Sequence, residues 1–128
     1  MNKVFFDLEW NTGFVDGNSF DEIIEIGAVK TNDQYEQIDG FRRLVRPAVY
    51  RKMNPYIQKM LAITMKDLQD AALLSQVAAE FFAWCGDCDT LIAWSDNDFG
   101  VLEKNLARIG TEIPASLSRY DVQMAYSY

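Results

Sequence analysis

Residues 23–30 read IIEIGAVK, a run nearly continuous in apolar and β-branched side chains. Such a run suits a strand buried on both faces. It must therefore lie inside a sheet with other layers around it. KVFFDL, residues 3–8, is a short aromatic strand, and EQIDGFRRLVR, residues 36–46, reads as a third strand with Gly40 as a candidate bulge. NTGFVDGNSFD, between the first two, reads as a turn-rich connection. Three strands with short links suggest an antiparallel meander.

The hydrophobic period then changes. Asn54 before Pro55 is an N-cap and first helical residue, opening a short helix, PYIQKML. Thr64 with Asp67 has the spacing of a capping box, with Asp in place of the usual Glu. Leu73, Val77 and Phe81, and beside them Leu74, Ala78 and Phe82, recur at helical spacing. TLIAW, residues 90–94, is a short buried strand. Phe99, Leu102, Leu106 and Ile109 mark another amphipathic helix, closed by Gly110. RYDVQMAYSY begins as a last strand and runs toward a helix. The order βββαβαβ implies an α/β fold with a mixed sheet.

Composition bounds the rest. At 128 residues one domain, 1–128, is the default. A hydrophobic content of 49% is ample for a packed core. No apolar run approaches the roughly 20 residues of a membrane span, and the N-terminus has no secretory pattern, so a cytoplasmic protein with no membrane partner is expected. The net charge of −7 argues against indiscriminate binding to duplex nucleic acid through a broad basic face. One basic segment stands out, since Arg42, Arg43, Arg46, Arg51 and Lys52 supply five of the twelve cationic residues. It is either a solvated strand edge or a local phosphate-contacting patch. Cys85 and Cys88 form a C-x-x-C, but there is no second cysteine pair and no histidine to complete a tetrahedral site. Two reduced thiols in a turn are expected.

The chemistry concentrates at the end of the first strand. In VFFDLEWNTG, Asp7 and Glu9 are two positions apart and so project from one face of a strand. Their charges repel, and a divalent cation is the usual means of offsetting that. Asp98 follows the fourth strand, in the first turn of a helix, where the dipole favours a carboxylate. If strands one and four are neighbours, the three carboxylates converge at one sheet edge. Carboxylate clusters hold hard ions such as Mg²⁺ or Mn²⁺. Asp98 also fits a simple capping role, and Asp96 is its rival as a ligand.

Several segments together resemble the DEDD superfamily, the DnaQ-like 3′–5′ exonucleases of RNase H-like fold. FFDLEWNTG is similar to the first motif, D-x-E followed by a small polar run and Gly. EIIEIGAVK resembles the strand after it, and LVRPAVYRKMNPYIQKMLAITMKDLQDA resembles the connection that carries an I-T element. IAWSDNDFGVLEKNL is similar to the second motif, most of all in the KapD/Eri-like branch, and RYDVQMAY resembles the next element. The resemblance implies a mixed five-stranded sheet and two-metal hydrolysis of single-stranded nucleic acid, RNA or DNA, from its 3′ end. It implies that Asp7 bridges two ions, Mg²⁺ or Mn²⁺, that Glu9 ligates one and that Asp98 holds the other. It implies a nucleotide pocket at Trp10, Asn11, Thr12 and Gly13, with Ile63 and Thr64 near the terminal base. Ordinary strand-end packing for Trp10, and core and N-cap roles for Ile63 and Thr64, remain open beside it.

The family's third motif, His or Tyr followed by Asp on a helix after the fifth strand, has no match before Tyr128. Tyr120, Tyr126 and Tyr128 are not followed by Asp at the needed spacing. Three readings follow: a fragment lacking its C-terminal helix, a short form completed by a partner or a second copy, and a degenerate module that binds nucleic acid or protein without cutting. Weak or no exonuclease activity is expected of the 128 residues alone.

Overall fold

The computed structural model describes residues 1–94 and 96–122, apart from the side chain of Asp96. The elements are β1 (Lys3–Val15), β2 (Asn18–Thr31), β3 (Gln37–Leu44), α1 (Pro55–Leu61), α2 (Met65–Leu68), α3 (Leu74–Cys85), β4 (Thr90–Ala93), α4 (Asp96–Arg108) and β5 (Ser118–Asp121). They build one five-stranded sheet in the order β3-β2-β1-β4-β5. β1, β2 and β3 pair antiparallel, while β4 and β5 join β1's other side in parallel. The mixed sheet and the β1–β4 adjacency follow the sequence expectation. The expected helix beyond β5, with Tyr126 and Tyr128, lies outside the described residues. No helix among the described residues is long and apolar enough to cross a membrane.

The first connection differs from expectation. NTGFVDGNSFD is not a loop but the outer half of a long β1–β2 hairpin, whose turn is Asp16–Gly17. Both turn residues have positive φ, 50° and 82°, the conformation two-residue hairpins require and Gly tolerates best. The candidate bulge at Gly40 is also corrected. Gly40 pairs regularly with Val29, and the irregularities fall at Lys30/Thr31 and opposite Glu9/Trp10.

That second irregularity positions the site. Glu9 faces Glu25 and Trp10 faces Ile23, so Ile24 is the extra residue on β2. Its carbonyl accepts from Val45 N–H at 2.8 Å, and Ile23 N–H donates to the buried Asn105 Oδ1 at 3.1 Å. α4 thereby supplies a ladder partner that the bulge removed. On β1 the alternation runs through undisturbed, keeping Asp7, Glu9 and Asn11 on one face.

The other face carries the main core. Val4, Phe6, Leu8, Ile23, Ile26 and Leu91 pack against Leu74, Val77, Ala78 and Phe81 of α3 and Phe99, Leu102 and Leu106 of α4. Leu73 precedes the helix as its N-cap and is largely exposed, a correction of one residue to the expected stripe. A smaller cluster gathers Ile24, Met53 and Leu68 beneath α1 and α2. Both short helices are capped as expected, α1 by Asn54 and α2 by the Thr64–Asp67 box. Cys85 ends α3 and Cys88 follows in the turn; both are free and buried.

Candidate active site

β1 and β4 stay in register only from Lys3/Thr90 to Phe5/Ile92. β4 ends at Ala93 while β1 runs on to Val15, so a gap opens along β1 beyond Phe5. Asp98, in the first turn of α4, fills it. Its carboxylate accepts a hydrogen bond from Leu8 N–H and is only 7% exposed. This fixes Asp98 beside the backbone between Asp7 and Glu9.

The Asp98 carboxylate feels the charges of both β1 carboxylates. Burial, then the charges of Asp7, Glu9 and Asp121, push the Asp98 carboxyl up to about 6 from its ordinary 3.8. Glu9 is raised as well, by burial first and then by Asp7 and Glu25, with Arg42 opposing. Arg42 is held by Glu25, Nε to Oε2 at 2.9 Å. Asp7 itself is exposed. Asp121 closes β5 directly opposite Ala93. It is a fourth carboxylate of this edge that the sequence reading did not place in the site. The signal for it was an Asp ending a strand parallel to the one before Asp98.

These donors suit hard divalent cations: all are carboxylate oxygens, and the charges of Asp7 and Glu9 raise the proton affinity of Asp98. Among the described residues, no three Asp, Glu, Cys or His side chains are already arranged as a metal-holding group. Mg²⁺ retains several waters in such sites, so the protein need not supply a full set of ligands. Asp7, Glu9 and Asp98 therefore fit the chemistry of the ion as an open set. Asp96, the rival, opens α4, and its side chain lies outside the described residues.

The expected nucleotide-binding residues separate into different places. Trp10 lies on the opposite face from Glu9, half-buried against the core beside α4. Asn11 is buried, and its side chain donates to Lys52 O at 3.1 Å and accepts from Asn54 N–H at 2.8 Å. Thr12 Oγ1 donates to Asp21 Oδ1 at 2.9 Å. Gly13 lies under the Tyr50 ring so closely that a Cβ would stand 2.6 Å from Cε1. Ile63 packs with the α1–α2 cluster and also lines a hollow with Glu25, Arg42 and Leu44, on the Arg42 side of the site. Thr64 is the α2 N-cap. In the basic segment, Arg42 and Arg43 are paired with Glu25 and Glu80, while Arg51 and Lys52 are exposed.

The exonuclease family model, RNase_T, matches residues 4–125. The chain belongs to the RNase_T exonuclease family. A relative is the PolC-type DNA polymerase III of Staphylococcus haemolyticus, 36% identical over 84% of this chain. The enzyme of Staphylococcus saprophyticus is 33% identical over the same share. The chain spans only 7% of the length of either polymerase. Among solved structures, the nuclease domain of 3′hExo, a DEDDh family member bound to rAMP, superposes with a TM-score of 0.76 at 21% identity, covering 89% of this chain and 62% of that one. Product-bound exonuclease I gives 0.77 at 15% identity, covering 98% of this chain and 30% of that one. The fold of this RNase_T domain is thus the RNase H-like exonuclease fold of the DEDD superfamily. The matches include PolC-type DNA polymerase III, 3′hExo and exonuclease I, so they define the superfamily and not one branch of it.

Proposed function

We propose that this domain is a 3′–5′ exonuclease acting on single-stranded nucleic acid, with Asp7, Glu9 and Asp98 holding two divalent ions, Mg²⁺ or Mn²⁺. The observation that carries the reading is the gap between β1 and β4, where Asp98 meets Asp7 and Glu9 and its carboxyl is pushed up to about 6. Solved neighbours support the substrate class. Escherichia coli exonuclease I is known in complex with a dT13 oligonucleotide, and the 3′hExo nuclease domain with rAMP.

Ions bound there would supply an activated water and stabilise charge on the leaving 3′ oxygen. The protein's own groups do the positioning. The Leu8 N–H holds the Asp98 carboxylate in one orientation. Asp7 and Glu9 present theirs from the open face. Arg42, braced by Glu25, stands on the Glu9 side as a counter-charge for a phosphate of the strand. The 128 residues contain no histidine to take the water's proton, so turnover by this chain is expected to be slower by on the order of 10²–10⁴ than with a positioned base.

The test is a nuclease assay on 5′-labelled single-stranded RNA and DNA with Mn²⁺, at long incubation, beside Asp7→Ala. A slow ladder shortened from the 3′ end, absent in the variant, is the expected result. Internal cutting, or a ladder that persists in Asp7→Ala, would overturn the reading.

A further inference from the structure

Trp94 is the first residue past β4, and it is 66% exposed. The other two tryptophans are not displayed this way. Trp10 and Trp84 pack against the core, and the Trp84 indole N–H donates to Asp39 at 3.0 Å. A bare indole forfeits the burial that makes Trp useful in a core. Its position is specific. Trp94 directly follows Ala93, where β4 ends and the gap along β1 opens, and it precedes Asp98 by four residues. Ala93, just before it, is paired with Asp121, whose charge reaches Asp98. Trp94 therefore stands next to the carboxylate site, with its side chain exposed.

The charge balance says what such a residue must do. The chain carries −7 overall, and the site is its own cluster of carboxylates. General electrostatic attraction does not bring a polyanion here. Beyond the ions and Arg42, affinity for a strand needs contacts that do not depend on charge, and stacking on an aromatic face is the sequence-tolerant one. We propose that Trp94 is a stacking platform for a base of the single strand whose 3′ end lies at Asp7, Glu9 and Asp98. This inference rests on the exonuclease reading and adds a binding residue to it.

The test measures binding of a 5′-fluorescein-labelled oligothymidylate with phosphorothioate linkages at its 3′ end, by anisotropy, in Mn²⁺. Wild type, Trp94→Ala, Trp94→Phe and Asp7→Ala are compared, with thermal melts confirming that each is folded. Trp94→Ala is expected to weaken binding by about 5- to 100-fold, the range of one lost stacking contact. Trp94→Phe should recover most of that loss. An oligomer with abasic sites in its last three positions should bind wild type as weakly as the normal oligomer binds Trp94→Ala. Equal affinity of wild type and Trp94→Ala would overturn the stacking role, and a 3′ ladder lost in Asp7→Ala would show that the exonuclease reading survives it. Absence of wild-type binding together with absence of any ladder would overturn both.

Discussion

The backbone N–H of Leu8 donates to the carboxylate of Asp98, and Leu8 stands between Asp7 and Glu9. This bond ties the first turn of α4 to β1 at the point where β4 has ended. It brings a third negative charge against two that already repel. Without a cation the arrangement is electrostatically unfavourable, and its cost depends on pH.

Asp98 has an ordinary value of 3.8 and is pushed up to about 6 in the fold. The folded chain therefore binds this proton more tightly than the unfolded chain. The stability this lends is fully present below 3.8 and is lost as the pH rises through about 6. Asp98→Asn keeps an oxygen for Leu8 N–H and removes the charge. In the absence of divalent ions at about pH 8 it should exceed wild type in stability by on the order of 1–3 kcal/mol. That margin should shrink steadily as urea unfolding is repeated down to about pH 4. A margin independent of pH would contradict the electrostatic account.

Glu22 is a second buried carboxylate with a different task. It is 2% exposed and accepts from the N–H groups of Ala48, Val49 and Tyr50, at 2.8, 2.8 and 3.0 Å. It pins the segment after β3 onto the hairpin, opposite Asn11. Glu22→Ala would leave three donors unpaired and should cost about 2–4 kcal/mol. Hydrogen exchange at residues 48–50 should accelerate together in that variant. Unaltered exchange there would show that the loop is held by other contacts.

The two thiols should be inert in the native protein. Burial pushes the Cys85 thiol up to about 12, and Cys88 is raised for the same reason. Thiolate is the reactive form, so at neutral pH very little is available. A disulfide-exchange reagent should label neither cysteine until denaturant is added, and then both. Rapid labelling of the native chain would mean that the α3–β4 turn opens readily.

Asp7 and Glu9 stood out in the sequence because charge at the end of a buried strand has no packing purpose, whereas Asp98 was singled out through the family resemblance and by itself reads as a helix cap. The α1 and α2 caps were legible because Asn-Pro and Thr-x-x-Asp satisfy local donors, within a few residues. The hairpin was not. NTGFVDGNSFD contains Gly13 and Gly17, and each is a turn signal on its own. Only Gly17 turns the chain, at φ 82°; Gly13 is a glycine because the Tyr50 ring, far along the chain, lies on it. Glu22 and Asn105 look like solvated polar residues in sequence. Their burial depends on the bulge at Ile24 and on the loop after β3, which are tertiary facts. Asp121 was visible as a strand end, but its reach to Asp98 depends on β5 lying parallel beside β4.

The central claim is that carboxylates of β1 and α4 together hold divalent ions. The most direct measurement is a crystal of the protein grown with Mn²⁺ and examined for anomalous scattering. The account predicts manganese bound against Asp7 and shared with Glu9 or Asp98, with at least one such peak lost in Asp7→Asn. Manganese absent from the β1–β4 gap, or bound there identically in wild type and Asp7→Asn, would contradict it.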